Sequence, residues 1–118
     1  MRIISGNKKS IVINAPKNLP VRPTTDKVKE SLFNIIQNKF ELNDCKVLDV
    51  FSGTGALGLE AISRGASAGV FIDNNASSLE FVKTNAAALG EAHNVLPLKI
   101  DATQLLQPPR SAHAPLAR

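Results

Sequence analysis

Residues 46–58, KVLDVFSGTGALG, decide how this sequence folds. The apolar run at 47–51 predicts a buried strand, and three glycines follow it in G-x-G-x-x-G spacing. The residues at 56–64 predict a helix that is stopped by Gly65. This order brings backbone N–H groups and the positive end of a helix to one point, where a nucleotide-type cofactor binds at the carboxyl end of a parallel strand.

Asp49 distinguishes between the cofactors that such a turn can hold. It lies four residues before Gly53, where the strand ends. A dinucleotide site holds an anionic pyrophosphate, whereas a carboxylate favours a ligand with positive charge, such as the ammonium and sulfonium of S-adenosylmethionine. Asp49, Phe51, Gly53 and Gly55 together resemble the first motif, D-x-F-x-G-x-G, of Rossmann-like methyltransferases. The alternative is a tight turn that only packs a strand against a helix.

Two further strands are predicted after the first helix, and each ends in a carboxylate. Residues 69–73 read GVFID, and residues 95–100, VLPLKI, are followed by Asp101. A helix over about 75–89 separates them. Pro97 cannot donate a ladder hydrogen bond, so we expect the third strand at an edge of the sheet. The sequence therefore predicts an α/β fold, the βαβαβ half of a doubly wound parallel sheet.

The acids at the strand ends are the candidate ligand contacts. Asp73 lies twenty residues beyond Gly53, a spacing at which an acid accepts hydrogen bonds from ribose hydroxyls. That position fits both NAD and S-adenosylmethionine. Taken singly, Asp73 or Asp101 could cap a helix. Because Asp49, Asp73 and Asp101 each end a successive strand, three separate caps are a poorer explanation than one site.

The residues before the first strand predict a hairpin, a connector and a helix. Short β-branched runs at 3–4 and 11–13 flank a basic turn that contains Lys8 and Lys9. A connector with three prolines follows, and then a helix over about 24–40. The predicted buried face of this helix consists of Val28, Leu32, Ile35 and Ile36.

Basic charge is concentrated before the cofactor motif. Residues 1–46 hold nine Lys or Arg against four Asp or Glu, whereas residues 47–106 hold three against six. This division is expected if the first part of the chain contacts phosphates. A solvated lysine-rich face is the alternative.

The composition excludes several classes of site. The single cysteine, Cys45, rules out an internal disulfide and a cysteine-based metal cluster, and we expect it to be a small buried residue. His93 and His113 have no partners at metal-ligand spacing, so no metal is expected. No stretch is apolar for long enough to be a signal peptide or a membrane helix, and the expected location is cytoplasmic.

Two segments resemble one family of enzymes. Residues 22–34, RPTTDKVKESLFN, match the R-P-T-x-D-[KR]-x-[KR]-E-x-[LV]-F-[ND] signature of bacterial small-subunit (16S) ribosomal RNA guanine-N2 methyltransferases. Residues 48–61 match its D-x-F-x-G-[ST]-G-x-L-G-[LI]-E-A run, and residues 2–6, RIISG, resemble its R-I-I-x-G start. The resemblance covers residues 1 to about 106 and implies a Rossmann-like methyltransferase fold that binds S-adenosylmethionine.

The resemblance also implies roles for individual residues. The expected cofactor contacts are Asp49, Phe51, Gly53, Gly55, Asp73, Asn74, Asp101 and Ala102. In methyltransferases of this fold, an acid at the position of Asp101 and the backbone beside it recognise the adenine amino group. Lys8 and Lys9 of the hairpin, and Arg22, are expected to face the ribosomal RNA of the small subunit.

One family motif is absent from these 118 residues. The catalytic [DN]-P-P-[FY] motif, which holds the target amino group and stacks on the flipped base, has no match, because residues 107–110 read QPPR. The expected parts are a hairpin and connector (1–20), the N-terminal half of a methyltransferase domain (21–106) and an unrelated tail (107–118). We assign no catalytic residue and expect an incomplete fold that is inactive alone.

Three other interpretations are open at this point. A NAD(P)-dependent oxidoreductase would also use the glycine turn, with Asp73 on the ribose, but it would leave residues 22–34 unexplained. A non-catalytic module that binds RNA or a cofactor would use the basic hairpin and would need no catalytic motif. An adenine-N6 DNA methyltransferase is the weakest of the three, since it too needs the absent motif.

Overall fold

The computed structural model describes residues 2–14, 26–50, 52–101 and 103. The elements are α1 (Asp26–Lys39), β1 (Lys46–Val50), α2 (Ala56–Ser63), β2 (Ala68–Asp73), α3 (Ala76–Ala88) and β3 (Val95–Lys99). A short 3-10 turn, Ala92–Asn94, leads into β3. Within the described ranges, no helix is both long and apolar enough to cross a lipid bilayer.

The sheet confirms the predicted topology. Its order is β1-β2-β3, and both pairs of neighbouring strands are parallel. Pro97 lies opposite Phe71, in a strand that pairs only with β2 in the part of the chain that the structure describes. The proline is therefore on an edge strand, where a missing N–H is tolerated. Each parallel connection runs through a helix, as in one half of a Rossmann-like fold.

Two helices pack on the same face of the sheet. Phe71 of β2 is fully buried at the centre of this layer, together with Leu59 of α2 and Val82 of α3. A Cβ on Gly58 of α2 would overlap the Phe71 ring. Glycine at this position therefore allows α2 to lie close against β2.

The opposite face of the sheet is apolar and partly open in the described part of the chain. Leu48, Val70 and Leu96 lie side by side across the three strands. Leu48 is 59% exposed and Leu96 is 52% exposed. Because doubly wound folds have helices on both faces, this row is a surface that a second layer of helices would bury.

The predicted hairpin is present over residues 2–14, but it is closed by a single antiparallel bridge between Arg2 and Val12. Its tip packs on the end of α2, where the Lys8 N–H donates to Ser63 Oγ at 3.0 Å. The eight residues of α2 span about 12 Å from the glycine turn to this end. The hairpin tip and the glycine turn therefore lie at opposite ends of α2.

α1 confirms the predicted helix but not its predicted buried face. Val28, Leu32 and Ile35 are exposed, and Ile36 is half-buried. The helix buries Lys29 and Phe33 instead. The prediction was wrong because α1 packs against α2 through a buried charge, and a hydrophobic pattern counts lysine as a surface residue.

A buried cluster of charges joins α1, α2 and the N-terminal residues. Glu60 is fully buried, and its carboxylate lies 3.3 Å from Lys29 Nζ and 2.8 Å from Arg64 Nε. It also accepts hydrogen bonds from the N–H groups of Ile4 (2.9 Å) and Ser5 (3.1 Å). Lys29, Glu60 and Arg64 are called the ionic cluster below.

The single cysteine is not buried, contrary to the prediction. Cys45 lies in the segment between α1 and β1, is exposed, and donates from Sγ to the carbonyl of Glu41 at 2.9 Å. Cys45 lies in a turn before β1, and the described helices do not pack over this turn, so its side chain is exposed.

Candidate cofactor-binding site

The glycine turn connects β1 to α2 and faces open space. Gly53 and Gly55 have positive φ angles of 55° and 84°, which residues with a side chain rarely adopt. Apart from its two chain neighbours, a Cβ built on Gly53 would meet no atom of the described residues within 4 Å, so these residues leave the outer side of the turn open to a ligand. The Gly55 N–H donates to the Ser52 carbonyl at 2.8 Å, which closes the turn in front of α2.

Asp73 holds the turn from the end of β2. Its Oδ2 accepts a hydrogen bond from the Gly53 N–H at 3.0 Å, across twenty residues of sequence. Its Oδ1 accepts one from the Asn75 N–H at 2.9 Å. The cap of α3 is a different residue, because the Asn75 side chain accepts the N–H groups of Ser77 and Ser78. Asp73 therefore connects the end of β2 to the glycine turn, and it does not cap α3.

Asp49 of β1 contacts the first turn of α2. Its Oδ2 accepts a hydrogen bond from the Gly58 N–H at 3.0 Å, so it caps the positive end of that helix. Burial raises the pKa of Asp49 from 3.8 to about 6, opposed by the Gly58 hydrogen bond and increased by the charge of Asp73. A cation bound beside Asp49 would favour its ionised form.

Asp101 lies just beyond β3 and is exposed. Its Oδ1 accepts both the N–H (2.9 Å) and the hydroxyl (2.8 Å) of Thr103. These hydrogen bonds hold the pKa of the Asp101 carboxyl below its usual value. The Asp101 side chain is thus ionised at neutral pH. Its local hydrogen bonds to Thr103 also fit the alternative that Asp101 caps a helix.

The structure brings two of the three strand-end acids together at the turn. Asp49 lies opposite Phe71, and Asp73 follows two residues later on the same face of the sheet. Asn74 is exposed beside them. The predicted contacts Phe51, Ala102 and Arg22 lie outside the described residues and stay predictions.

The two hairpin lysines differ in their surroundings. Lys9 is exposed, whereas Lys8 is half-buried and its Nζ lies 3.9 Å from a carboxylate oxygen of Glu91. Since the hairpin tip packs at the far end of α2, neither lysine is part of the glycine turn. Their predicted contact with RNA would be made on a separate surface.

Two residues of the site carry no signal in the sequence motif. Ser52 is 8% exposed, and its Oγ has no hydrogen-bond partner among the described residues. Asn85 of α3 donates to the Thr54 carbonyl inside the turn at 3.0 Å. It comes from a separate helix, so motif spacing does not reveal it.

The polar groups at the turn match the chemistry of S-adenosylmethionine. Two carboxylates suit its positive charges and ribose hydroxyls. Within the described residues, no three His, Cys, Asp or Glu side chains converge to hold a metal ion.

Comparison with known proteins decides the family. The family model described as Conserved hypothetical protein 95 matches residues 1–115. The chain belongs to this family. The match includes both signature segments and the glycine turn.

Two proteins similar in sequence to this chain are named as methyltransferases of ribosomal RNA. Ribosomal RNA small subunit methyltransferase D of Escherichia coli is 40% identical over 87 residues, which cover 73% of this chain and 43% of that protein. Bacillus subtilis YlbH, named provisionally as an rRNA methyltransferase, is 45% identical over 89 residues, which cover 75% of this chain and 47% of that protein. The chain thus spans less than half the length of these two relatives.

A solved structure confirms the fold. Escherichia coli yhhF, named provisionally as a methyltransferase, has a TM-score of 0.76 and 37% identity to this chain, covering 90% of this chain and 56% of its own. Together these matches confirm the resemblance to the small-subunit rRNA methyltransferase family and the incomplete Rossmann-like methyltransferase fold. They do not favour the NAD(P)-dependent oxidoreductase.

Proposed function

We propose that this chain is the S-adenosylmethionine-binding part of a cytoplasmic enzyme that methylates N2 of a guanine in small-subunit ribosomal RNA. The observation that carries the proposal is the pair of carboxylates at the glycine turn, Asp73 on Gly53 and Asp49 on Gly58. The relatives named as rRNA methyltransferases support the substrate class. The resemblance of residues 22–34 supports guanine N2 as the methylated position.

The residues at the turn bind and orient the cofactor in this proposal. S-adenosylmethionine, when bound, supplies an electrophilic methyl group on its sulfonium. Asp73 accepts the ribose hydroxyls with the lone pairs that its two backbone hydrogen bonds leave. Asp49 lies near the positive charges. The further proposed contacts are Phe51, Gly53, Gly55, Asn74, Asp101 and Ala102.

The proposed cofactor site is tested by Asp73→Ala. This change removes a ribose acceptor and releases the Gly53 N–H, so affinity for S-adenosylhomocysteine should fall by about 1–3 kcal/mol, the scale of a lost charged hydrogen bond. Isothermal calorimetry measures the difference. Glu80→Ala is the matched control, because Glu80 is an exposed acid on α3 that pairs only with Lys83 among the described residues. Equal affinity in wild type and Asp73→Ala would remove Asp73 from the site.

The transfer step needs groups that these 118 residues do not include. Transfer to a guanine amino group requires that nitrogen to be held in line with the methyl group. In the family, the [DN]-P-P-[FY] motif does this, and the sequence has no such motif. Tritiated methyl transfer to unmodified small-subunit RNA should therefore stay at background with this chain alone, and turnover above background would contradict the assignment.

We further propose that the basic N-terminal segment contacts the RNA. Lys8, Lys9 and Arg22 belong to the part of the chain where positive charge is in excess. Replacing all three with Ala should weaken RNA binding and lower the slope of log affinity against log salt by about one for each lost phosphate contact. Lys83→Ala is the control, because Lys83 is an exposed lysine on α3. An unchanged slope in the triple variant would support the solvated-face interpretation.

A further inference from the structure

Asn85 joins two segments that are distant in sequence. It lies on α3 and is 1% exposed. Its Oδ1 accepts the N–H of Asn14 at 2.8 Å, and its Nδ2 donates to the carbonyls of Asn14 and Thr54, both at 3.0 Å. Both hydrogens of the side-chain amide are thus donated. The same amide donates to and accepts from the Asn14 backbone, as a peptide group of a paired strand does.

The two partners of Asn85 have different roles in the fold. Thr54 is the middle residue of the glycine turn, and the N–H of its neighbour Gly53 donates to Asp73. Asn14 ends the described N-terminal segment, residues 2–14. If either segment moved, a buried donor or acceptor would lose its partner, which is costly in the protein interior. One side chain therefore makes the positions of the turn and of this segment depend on each other.

We propose that Asn85 is a positioning residue that holds the glycine turn in its cofactor-binding shape and couples it to the N-terminal segment. The inference rests on the proposed cofactor site and adds a connection from that site to the basic segment. Because coupling between sites is reciprocal, a ligand that stabilises the turn also stabilises residues 2–14, and a partner that orders residues 2–14 improves cofactor binding.

The first arm of the test compares Asn85→Leu with Ile62→Ala. Leucine has a similar volume but no hydrogen-bonding groups. Ile62 is buried near the end of α2 beside Gly69, so its truncation lowers stability without touching the turn. Calorimetry with S-adenosylhomocysteine, corrected for folded fraction, should show affinity at least about tenfold weaker in Asn85→Leu and within about twofold of wild type in Ile62→Ala. Equal losses in the two variants would reduce Asn85 to a packing residue and overturn the proposal.

The second arm needs no ligand. Amide hydrogen exchange of the free protein should be faster in Asn85→Leu than in Ile62→Ala at two places, the turn (Gly55) and the N-terminal segment (Ile3 and Ser10), whose amides are hydrogen-bonded in the wild type. If wild type does not bind S-adenosylhomocysteine but this pattern is seen, the proposed function fails and the positioning role stands. Exchange that is the same in both variants contradicts the positioning role itself.

The third arm uses wild type only and does not depend on a variant that folds. Adding S-adenosylhomocysteine should slow exchange in residues 2–14, although none of these residues belongs to the proposed cofactor site. Slower exchange at the turn with no change in residues 2–14 would show that the two segments are not coupled.

Discussion

The Asp49 carboxyl group contacts the start of α2, and we propose that the cofactor is its second partner. Its hydrogen bond to the Gly58 N–H fixes one oxygen at the start of α2. Its burial leaves the group partly protonated at mildly acidic pH, because its pKa is raised to about 6. A cofactor with an ammonium group must find this carboxyl ionised, so binding and ionisation are linked.

We therefore predict that cofactor affinity depends on pH through Asp49. The pKa is raised to about 6 in the folded state, so half of the Asp49 carboxyl groups are protonated at that pH, and affinity for S-adenosylhomocysteine should weaken by up to about tenfold for each pH unit below it. For the same reason, the contribution of Asp49 to the free energy of unfolding falls as the pH rises from 3.8 to about 6. Calorimetry between pH 5 and pH 8 measures the first effect.

Asp49→Asn is the control for this pH dependence. The amide keeps an acceptor for the Gly58 N–H but cannot ionise, so binding should be weaker and nearly independent of pH over this range. An equally steep pH profile in Asp49→Asn would assign the dependence to another group.

α2 is the element on which the two signature segments meet. Lys29 belongs to residues 22–34 and Glu60 to residues 48–61, and their side chains form a buried ion pair. Arg64 extends the ionic cluster to α1, where its Nη1 donates to Gln37 Oε1 at 2.7 Å. Part of each motif therefore serves to dock α1 and the N-terminal residues onto α2.

We predict that Glu60→Gln lowers the free energy of unfolding by about 3–5 kcal/mol, because it leaves two buried cations without a counterion. Urea denaturation followed by circular dichroism measures the change. Glu80→Gln on the exposed side of α3 is the control and should cost less than about 1 kcal/mol. If Glu60→Gln were as mild as this control, the ionic cluster would not be what joins α1 to α2.

The sequence predicts the helices and strands, and also two of the acids that the structure brings to the glycine turn. Strand ends, glycines and the edge position of Pro97 follow from local chemistry, and so do Asp49 and Asp73, because each is the last or next-to-last residue of its strand. The buried face of α1 was predicted wrongly, since Lys29 is buried only through its partner Glu60. Ser52 and Asn85 were missed because their roles depend on tertiary contacts.

At the scale of the whole molecule, the described helices cover one face of the sheet and leave the row of Leu48, Val70 and Leu96 partly open on the other. The described part of the glycine turn is held by hydrogen bonds to groups of β1, β2, α2 and α3. We therefore expect this half of a Rossmann-like sheet to bind its cofactor without the rest.

Titration of the chain with S-adenosylhomocysteine, and separately with NAD, is the measurement that tests this claim most directly. Two carboxylates at the turn favour the ligand with an ammonium group over one with a pyrophosphate. We predict saturable calorimetric binding of S-adenosylhomocysteine and none of NAD. Tight binding of NAD with no response to S-adenosylhomocysteine would contradict it.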